Sequence, residues 1–180
     1  MSLALSPITL RRLDGPQALA AAPALAEVLL DCVAGGASVS FMADLTHERA
    51  RAFWQDVAQG VAQRARALLV AEDAQGRVVG TVQLVLAQPD NQAHRADVAK
   101  MLVHRCARRQ GVAQRLLAEV DRVAQAEGRS VLVLDTVTGG DAERLYQRAG
   151  WQRVGEVPRY ALMPDGSFCG TTFFHRQLGP

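Results

Sequence analysis

The chain reads as a three-layer α/β protein, a sheet with helices on both faces, and three features of its sequence lead there. Strand-like and helix-like stretches are mixed from end to end, in the order β-α-α-β-β-β-α-β-α-β-β, with no internal repeat and no low-complexity linker. The 180 residues are 49% hydrophobic and 21% charged, enough apolar material to bury a core as one domain spanning residues 1–180. The stretch Arg108-Arg109-Gln110-Gly111-Val112-Ala113 stands between an apolar strand and an amphipathic helix, a local design that captures phosphates.

Each element has its own signal. Ile8-Thr9-Leu10 and Arg11-Arg12 suit a short opening strand, closed by Asp14-Gly15-Pro16. A helix then runs from about Pro16 to Val33, with Leu25, Val28, Leu29 and Cys32 as its buried stripe. Gly35-Gly36 ends it. The loop that follows carries Ser38, Phe41, Met42 and Asp44, and its two large apolar residues either plug the core or line a pocket. Thr46 caps a second helix, whose Ala50, Phe53, Trp54, Val57 and Val61 recur at helical spacing.

From Ala67 the period changes. Leu68 to Ala71 and Val78 to Leu86 form a hairpin about the turn Asp73-Ala74-Gln75-Gly76. A fourth strand covers Arg95 to Val103, and strict alternation puts Asp97, Ala99, Met101 and Val103 on one face, with Val98, Lys100 and Leu102 on the other. Val112, Leu116, Val120, Val123 and Ala124 mark a third helix ended by Gly128, and Ser130 to Asp135 reads as a strand buried on both faces. A helix over Ala142 to Ala149 follows. Strand character resumes at Trp151 to Gly155, the chain loops after Pro158 through Met163-Pro164-Asp165-Gly166, and Thr171 to His175 is the last strand.

Composition narrows the function. A net charge of +2 and 5% aromatics that do not interleave with the basic residues point away from nucleic acid. Cys32, Cys106 and Cys169 are odd in number and form no C-x-x-C pair, which suits reduced thiols in a cytoplasm. The four histidines fall at no ligand-like spacing, so no metal is expected. Arg11-Arg12 ahead of the apolar run from Ala18 to Ala34 imitates a secretory leader, but Glu27 and Asp31 split the run too early for a membrane span.

A helix beginning just after Gly111 leaves backbone N–H groups unpaired at the positive end of the peptide dipoles. Gly111 permits close approach, small Ala113 does not obstruct it, and Arg105, Arg108, Arg109 and Arg115 add four charges, which fits a pyrophosphate better than a single phosphate. No G-x-G-x-x-G and no G-x-x-x-x-G-K-[ST] is present, so a dinucleotide fold and a Walker-type ATPase are not indicated. A second segment, Ala142-Glu143-Arg144-Leu145-Tyr146-Gln147-Arg148-Ala149-Gly150-Trp151, matches A-x-x-L-Y-x-x-x-G-[FW] about thirty residues beyond the loop.

Together the two segments resemble motifs A and B of the GCN5-related N-acetyltransferases (GNAT). The resemblance implies the GNAT fold, a mixed, mostly antiparallel sheet of about seven strands flanked by helices on both faces. It implies acetyl-CoA as acetyl donor, its pyrophosphate held by Arg108, Arg109, Gln110, Gly111, Val112 and Ala113, and its pantetheine arm paired with the backbone of Met101, Leu102 and Val103. It also implies that Tyr146 donates a proton to the departing thiolate. Further segments, Gly35 to Val39, Phe41 to Leu45, Leu134-Asp135-Thr136, Val154-Gly155-Glu156 and Pro164-Asp165-Gly166, are similar to the tabtoxin-resistance acetyltransferases, which act on the amine of a β-lactam amino acid toxin. Gly139 stands where the broad family often has Asn, Ala113 where it often has Gly, and Asp97 where the resistance enzymes carry Glu.

An ammonium cannot attack a thioester until it loses a proton, so a base must be within reach of the acceptor. Asp135, at the end of its strand, and Asp97 are the candidates, acting through ordered water. Ser38, Phe41, Met42, Asp44, Thr136 and Tyr160 are the candidate acceptor contacts. The reading is therefore a cytoplasmic acetyltransferase for a small-molecule amine, by direct attack in a ternary complex, monomeric or homodimeric, with no nucleic-acid or membrane partner. Acetylation of a protein N-terminus or lysine, and a non-catalytic CoA sensor, are the alternatives.

Overall fold

The computed structural model describes residues 8–179. Seven strands and four helices follow in the expected order: β1 (Thr9–Leu13), α1 (Gly15–Ala34), α2 (His47–Ala62), β2 (Arg66–Glu72), β3 (Val78–Val85), β4 (Arg95–Val103), α3 (Val112–Ala126), β5 (Val131–Val137), α4 (Asp141–Arg148), β6 (Gln152–Leu162) and β7 (Phe168–Gln177). Local chemistry sets the boundaries. Asp14 and Gln17 form a reciprocal capping box ahead of α1, and Thr46 accepts from the Arg49 N–H at the start of α2.

The strands form one sheet in the order β1-β2-β3-β4-β5-β7-β6. All neighbours are antiparallel except β4 and β5, and β7 inserts between β5 and β6. One core lies on the face covered by α3 and α4, where Leu69, Leu84, Val98, Leu116, Leu132 and Phe174 meet. The other lies under α1 and α2, where Leu25, Leu29, Trp54, Leu68 and Leu102 meet. Helix α1 is apolar and, at 20 residues, long enough to cross a membrane by length and composition, yet its Leu25, Val28, Leu29 and Cys32 stripe is spent on this second core.

Three expectations are corrected. The alternation assumed for β4 fails at a β-bulge: Gln83 faces Ala99 and Thr81 faces Leu102, so Lys100 and Met101 together oppose one residue. Lys100 takes φ 51°, and the extra residue sends Leu102 to the α1–α2 core while Val98 joins the opposite one. Strand β5 is buried on one face only, through Leu132 and Leu134, because the sheet beside its outer half is open. Strand β6 continues through Pro158 to Leu162 instead of looping there; it is a sheet edge with a bulge between Val157 and Ala161, where a missing N–H breaks no ladder.

The bulge prepares the site. Beyond it the two parallel strands separate, pairing only at Arg95–Val131, Ala96–Leu132 and Asp97–Val133. The wedge between the C-terminal half of β4 and the end of β5 is where the principal cleft lies.

Candidate active site

The cleft encloses about 790 Å³ and runs from the start of α3, along the free edge of β4, to a wall made by the α1–α2 loop, the end of β5 and the β6–β7 hairpin. At the α3 end, Gly111 is the N-cap at φ 76° and ψ 6°, a left-handed conformation that costs glycine little. No side chain caps the helix there, so its first N–H groups remain available to an anion. Arg108 and Ala113 line the cleft. Arg109, Gln110 and Gly111 lie at its rim, outside the lining, and the Val112 side chain turns inward to the core at 2% exposure.

The basic loop presents fewer free charges than its composition suggests. The Arg105 Nε and backbone N–H donate to the two carboxylate oxygens of Asp31, each at 2.8 Å, and Arg115 Nη2 donates to the Ile8 carbonyl at 2.7 Å. Arg108 lines the cleft, its Nε donating to the Val103 carbonyl at 3.2 Å, and the Arg109 side chain makes no hydrogen bond or ion pair among the described residues. Burial works to raise the Asp31 pKa, but the bonds from Arg105 outweigh it and hold the carboxyl below its ordinary range. Asp31 is thus an ionised anchor from α1 for the loop that precedes α3.

Along the middle of the cleft, Met101, Leu102 and Val103 offer the backbone edge that β5 leaves unpaired. Cys32 reaches the same place from α1, its thiol donating to the Val103 carbonyl at 3.5 Å. Burial raises the Cys32 pKa, which keeps it a thiol and a poor nucleophile.

Tyr146 enters from α4. Its ring sits against Trp151 and Phe174, with centroids 5.9 and 6.0 Å away, and only 5% of the residue is exposed, yet it contributes to the cleft wall. Burial, reinforced by the negative charge of Asp135, raises the phenol pKa well above its ordinary value, so the hydroxyl is a permanent donor. Asp135 and Thr136 line the cleft from the end of β5. Asp135 opens to the cleft but is recessed in it; that burial raises its pKa, Lys100 pulls the other way, and Asp97 adds to the rise.

Asp97 itself is not in the lining. It is held by Arg95 and by Gln88 Nε2 at 3.0 Å, at the closed end of the β4–β5 wedge, and influences the cleft through its charge on Asp135. Asp44 also lies outside, exposed and 3.8 Å from Arg49. Ser38, Phe41, Met42 and Tyr160 line the cleft, at its end away from α3. The α1–α2 loop is pinned over it, with Ser38 Oγ donating to the Leu162 carbonyl at 2.7 Å and the Ala43 N–H to the Pro164 carbonyl at 3.1 Å.

Lys100 is the charged residue among several lining positions, Cys32 and Ser40 included, that sequence reasoning did not place in the site and that could hold a substrate. Strict alternation put it on a face away from Asp97, and the bulge moves it into the cleft, its Nζ donating to Ser40 Oγ at 2.9 Å. A signal existed: of the 20 lysines and arginines in the chain, Lys100 is the single lysine.

An uncapped helix end with two arginines, a free strand edge and a buried phenol facing a carboxylate together describe an acyl-CoA transferase. The GNAT acetyltransferase domain model matches residues 64–153, half of the chain, and the protein belongs to that family. It is an acyltransferase whose acetyl donor is acetyl-CoA. Similar solved structures include a GCN5-related N-acetyltransferase from Kribbella flavida, 26% identical at TM-score 0.77 over 95% of this chain and 98% of that one. A Salmonella typhimurium protein described as an acetyltransferase with its cofactor acetyl-CoA is 21% identical at TM-score 0.78 over 97% and 96%. A ribosomal-protein-alanine N-acetyltransferase from Brucella melitensis is 23% identical at TM-score 0.77 over 94% and 99%.

Proposed function

We propose that this acetyltransferase acts on the amine of a small molecule, and the observation that carries this reading is the roof over the acceptor end. A peptide acceptor needs an open groove, whereas here Ser38 and Ala43 tie the α1–α2 loop to the β6–β7 hairpin across the cleft. Phe41, Met42 and Tyr160 then line a half-open, mostly apolar end of the cleft, with Tyr160 at its exposed margin, of a size suited to small ligands. The likeness to the tabtoxin-resistance enzymes makes a β-lactam amino acid toxin or a related compound a candidate acceptor. Free Cys32, Cys106 and Cys169 suit work in a reducing cytoplasm, as a single domain.

Bound acetyl-CoA supplies an activated thioester carbonyl. The residues of the chain do the rest. Arg108, Arg109 and the N–H groups after Gly111 fix the pyrophosphate, and the edge of β4 from Met101 to Val103 aligns the pantetheine arm and polarises the carbonyl, so the reactants meet already oriented. Asp135 takes the ammonium proton through ordered water, which frees the nitrogen lone pair for direct attack. Tyr146 hydrogen-bonds the sulfur as the carbon–sulfur electron pair leaves on it; with its raised pKa the phenol is a better donor than acid, and full transfer of its proton is tied to proton loss from the new amide nitrogen. No acetyl-enzyme forms.

The test is a CoA-release screen of the purified protein over small amines, amino acid analogues and peptides. Turnover is expected on small amines. Turnover on peptides alone would favour the protein-acetylating alternative, and tight acetyl-CoA binding with no turnover on any amine would favour a sensor.

A further inference from the structure

Among the described residues, the acceptor end of the cleft contains one cation, and its placement is unusual. Lys100 sits at the β4 bulge with φ 51°, a conformation that residues with a Cβ rarely adopt, and the bulge aims its side chain into the chamber. It is the single lysine of a chain that otherwise uses arginine at every basic position. Arginine is a broad planar fork, whereas lysine is a compact point charge.

The surroundings hold that charge without neutralising it. Nζ donates to Ser40 Oγ at 2.9 Å and stands 5.7 Å from the Phe53 ring centroid. An ammonium has three donors, so the serine leaves capacity for more. Among the described residues no carboxylate lies within the 4.0 Å of an ion pair with it; Asp135 acts from farther off. Burial lowers the Lys100 pKa, with Arg66 adding to the fall and Asp135 opposing it, as for a cation short of a counter-ion.

We propose that Lys100, with Ser40, receives a carboxylate of the acceptor, so that the substrate is an amino-acid-like zwitterion whose ammonium faces Asp135. The two ends of the chamber then match the two ends of such a molecule, and a plain amine would leave the half-buried Lys100 charge with the Ser40 hydroxyl but no counter-ion. The inference rests on the small-molecule reading above and narrows it to a substrate class.

The experiment pairs amino acids with their carboxamides, which keep the shape and remove the charge, and measures binding to the CoA complex by calorimetry alongside turnover. A charge-assisted contact predicts that the acids bind roughly 10- to 100-fold tighter than the carboxamides. Lys100→Met should bring that ratio near one, Lys100→Glu should invert it, and Lys100→Arg should keep part of it. Acetyl-CoA affinity, unchanged in each variant, certifies the fold and the donor site. Because Lys100 is the single lysine, acid ligands should also protect it from amine-reactive labelling, read by peptide mass. Equal binding of acids and carboxamides, or a preference that survives in Lys100→Met, overturns the carboxylate assignment and leaves the small-amine reading standing. Binding of peptides alone overturns both.

Discussion

Asp31 and Arg105, 74 residues apart in sequence, are joined twice, by the arginine Nε and by its own backbone N–H. The pair ties the last turn of α1 to the loop that introduces α3, so the helix that leads into the α1–α2 loop also anchors the segment ahead of the uncapped end of α3.

Asp31→Asn is therefore expected to weaken acetyl-CoA binding about threefold to tenfold without touching the ligand. The arginine is half exposed, so the stabilising part is put at about 1 kcal/mol or less after solvent screening. The Asp31 pKa is depressed below 3.8, so its contribution is present above about pH 4 and lost as pH falls through the depressed value. Thermal melts against pH should show an acid-side loss in the wild type that is smaller in the variant; equal losses would remove Asp31 as the anchor.

Gly111→Val tests the anion site. A Cβ at Gly111 meets nothing within 4 Å, so the variant should fold, but φ 76° costs a side-chain-bearing residue about 1–2 kcal/mol. The melting temperature should fall by a few degrees and acetyl-CoA affinity by at least about tenfold. Normal affinity in titration would show that the cofactor lies elsewhere.

Tyr146→Phe keeps the ring packed on Trp151 and Phe174 and removes the hydroxyl alone. We expect kcat to drop on the order of 10²-fold at saturating substrates with little change in acetyl-CoA affinity. An unchanged kcat, with single-turnover chemistry also unchanged, would take the phenol out of the reaction.

Asp135→Asn should separate activity from stability. The folded-state pKa is raised, so the ionised carboxylate is held at a cost, and its neutral isostere is expected to melt at the same temperature or higher near neutral pH. As the base must be ionised to act, wild-type kcat/KM should fall on the acid side at a pH above the ordinary carboxylate value of 3.8. In the variant that limb should vanish along with about 10²-fold of rate; a retained limb would assign it to another group.

Element order was readable because it rests on periodicity and on turn and cap residues that act locally, as at Asp14, Thr46 and Gly128. The bulge at Lys100 was not, because neither glycine nor proline marks it, and missing it reversed the faces of Leu102 and Lys100. Pro158 misled in the opposite sense, since its missing N–H matters only in an interior strand and β6 is an edge. In the site, Tyr146, Asp135 and Arg108 could be singled out from motif and strand position. That Arg105 and Arg115 are engaged by Asp31 and Ile8, and that Asp97 is held by Arg95 and Gln88, depends on contacts across the fold that spacing does not encode.

The short run of pairing between β4 and β5 has a mechanical consequence. Three residue pairs join a four-stranded half of the sheet to a three-stranded half, and all three sit at one end of the wedge. The opposite end is held instead by the Ser38–Leu162 and Ala43–Pro164 hydrogen bonds, so the two halves of the sheet are braced at both ends of the wedge and the space between them is kept open without any strand ladder crossing it.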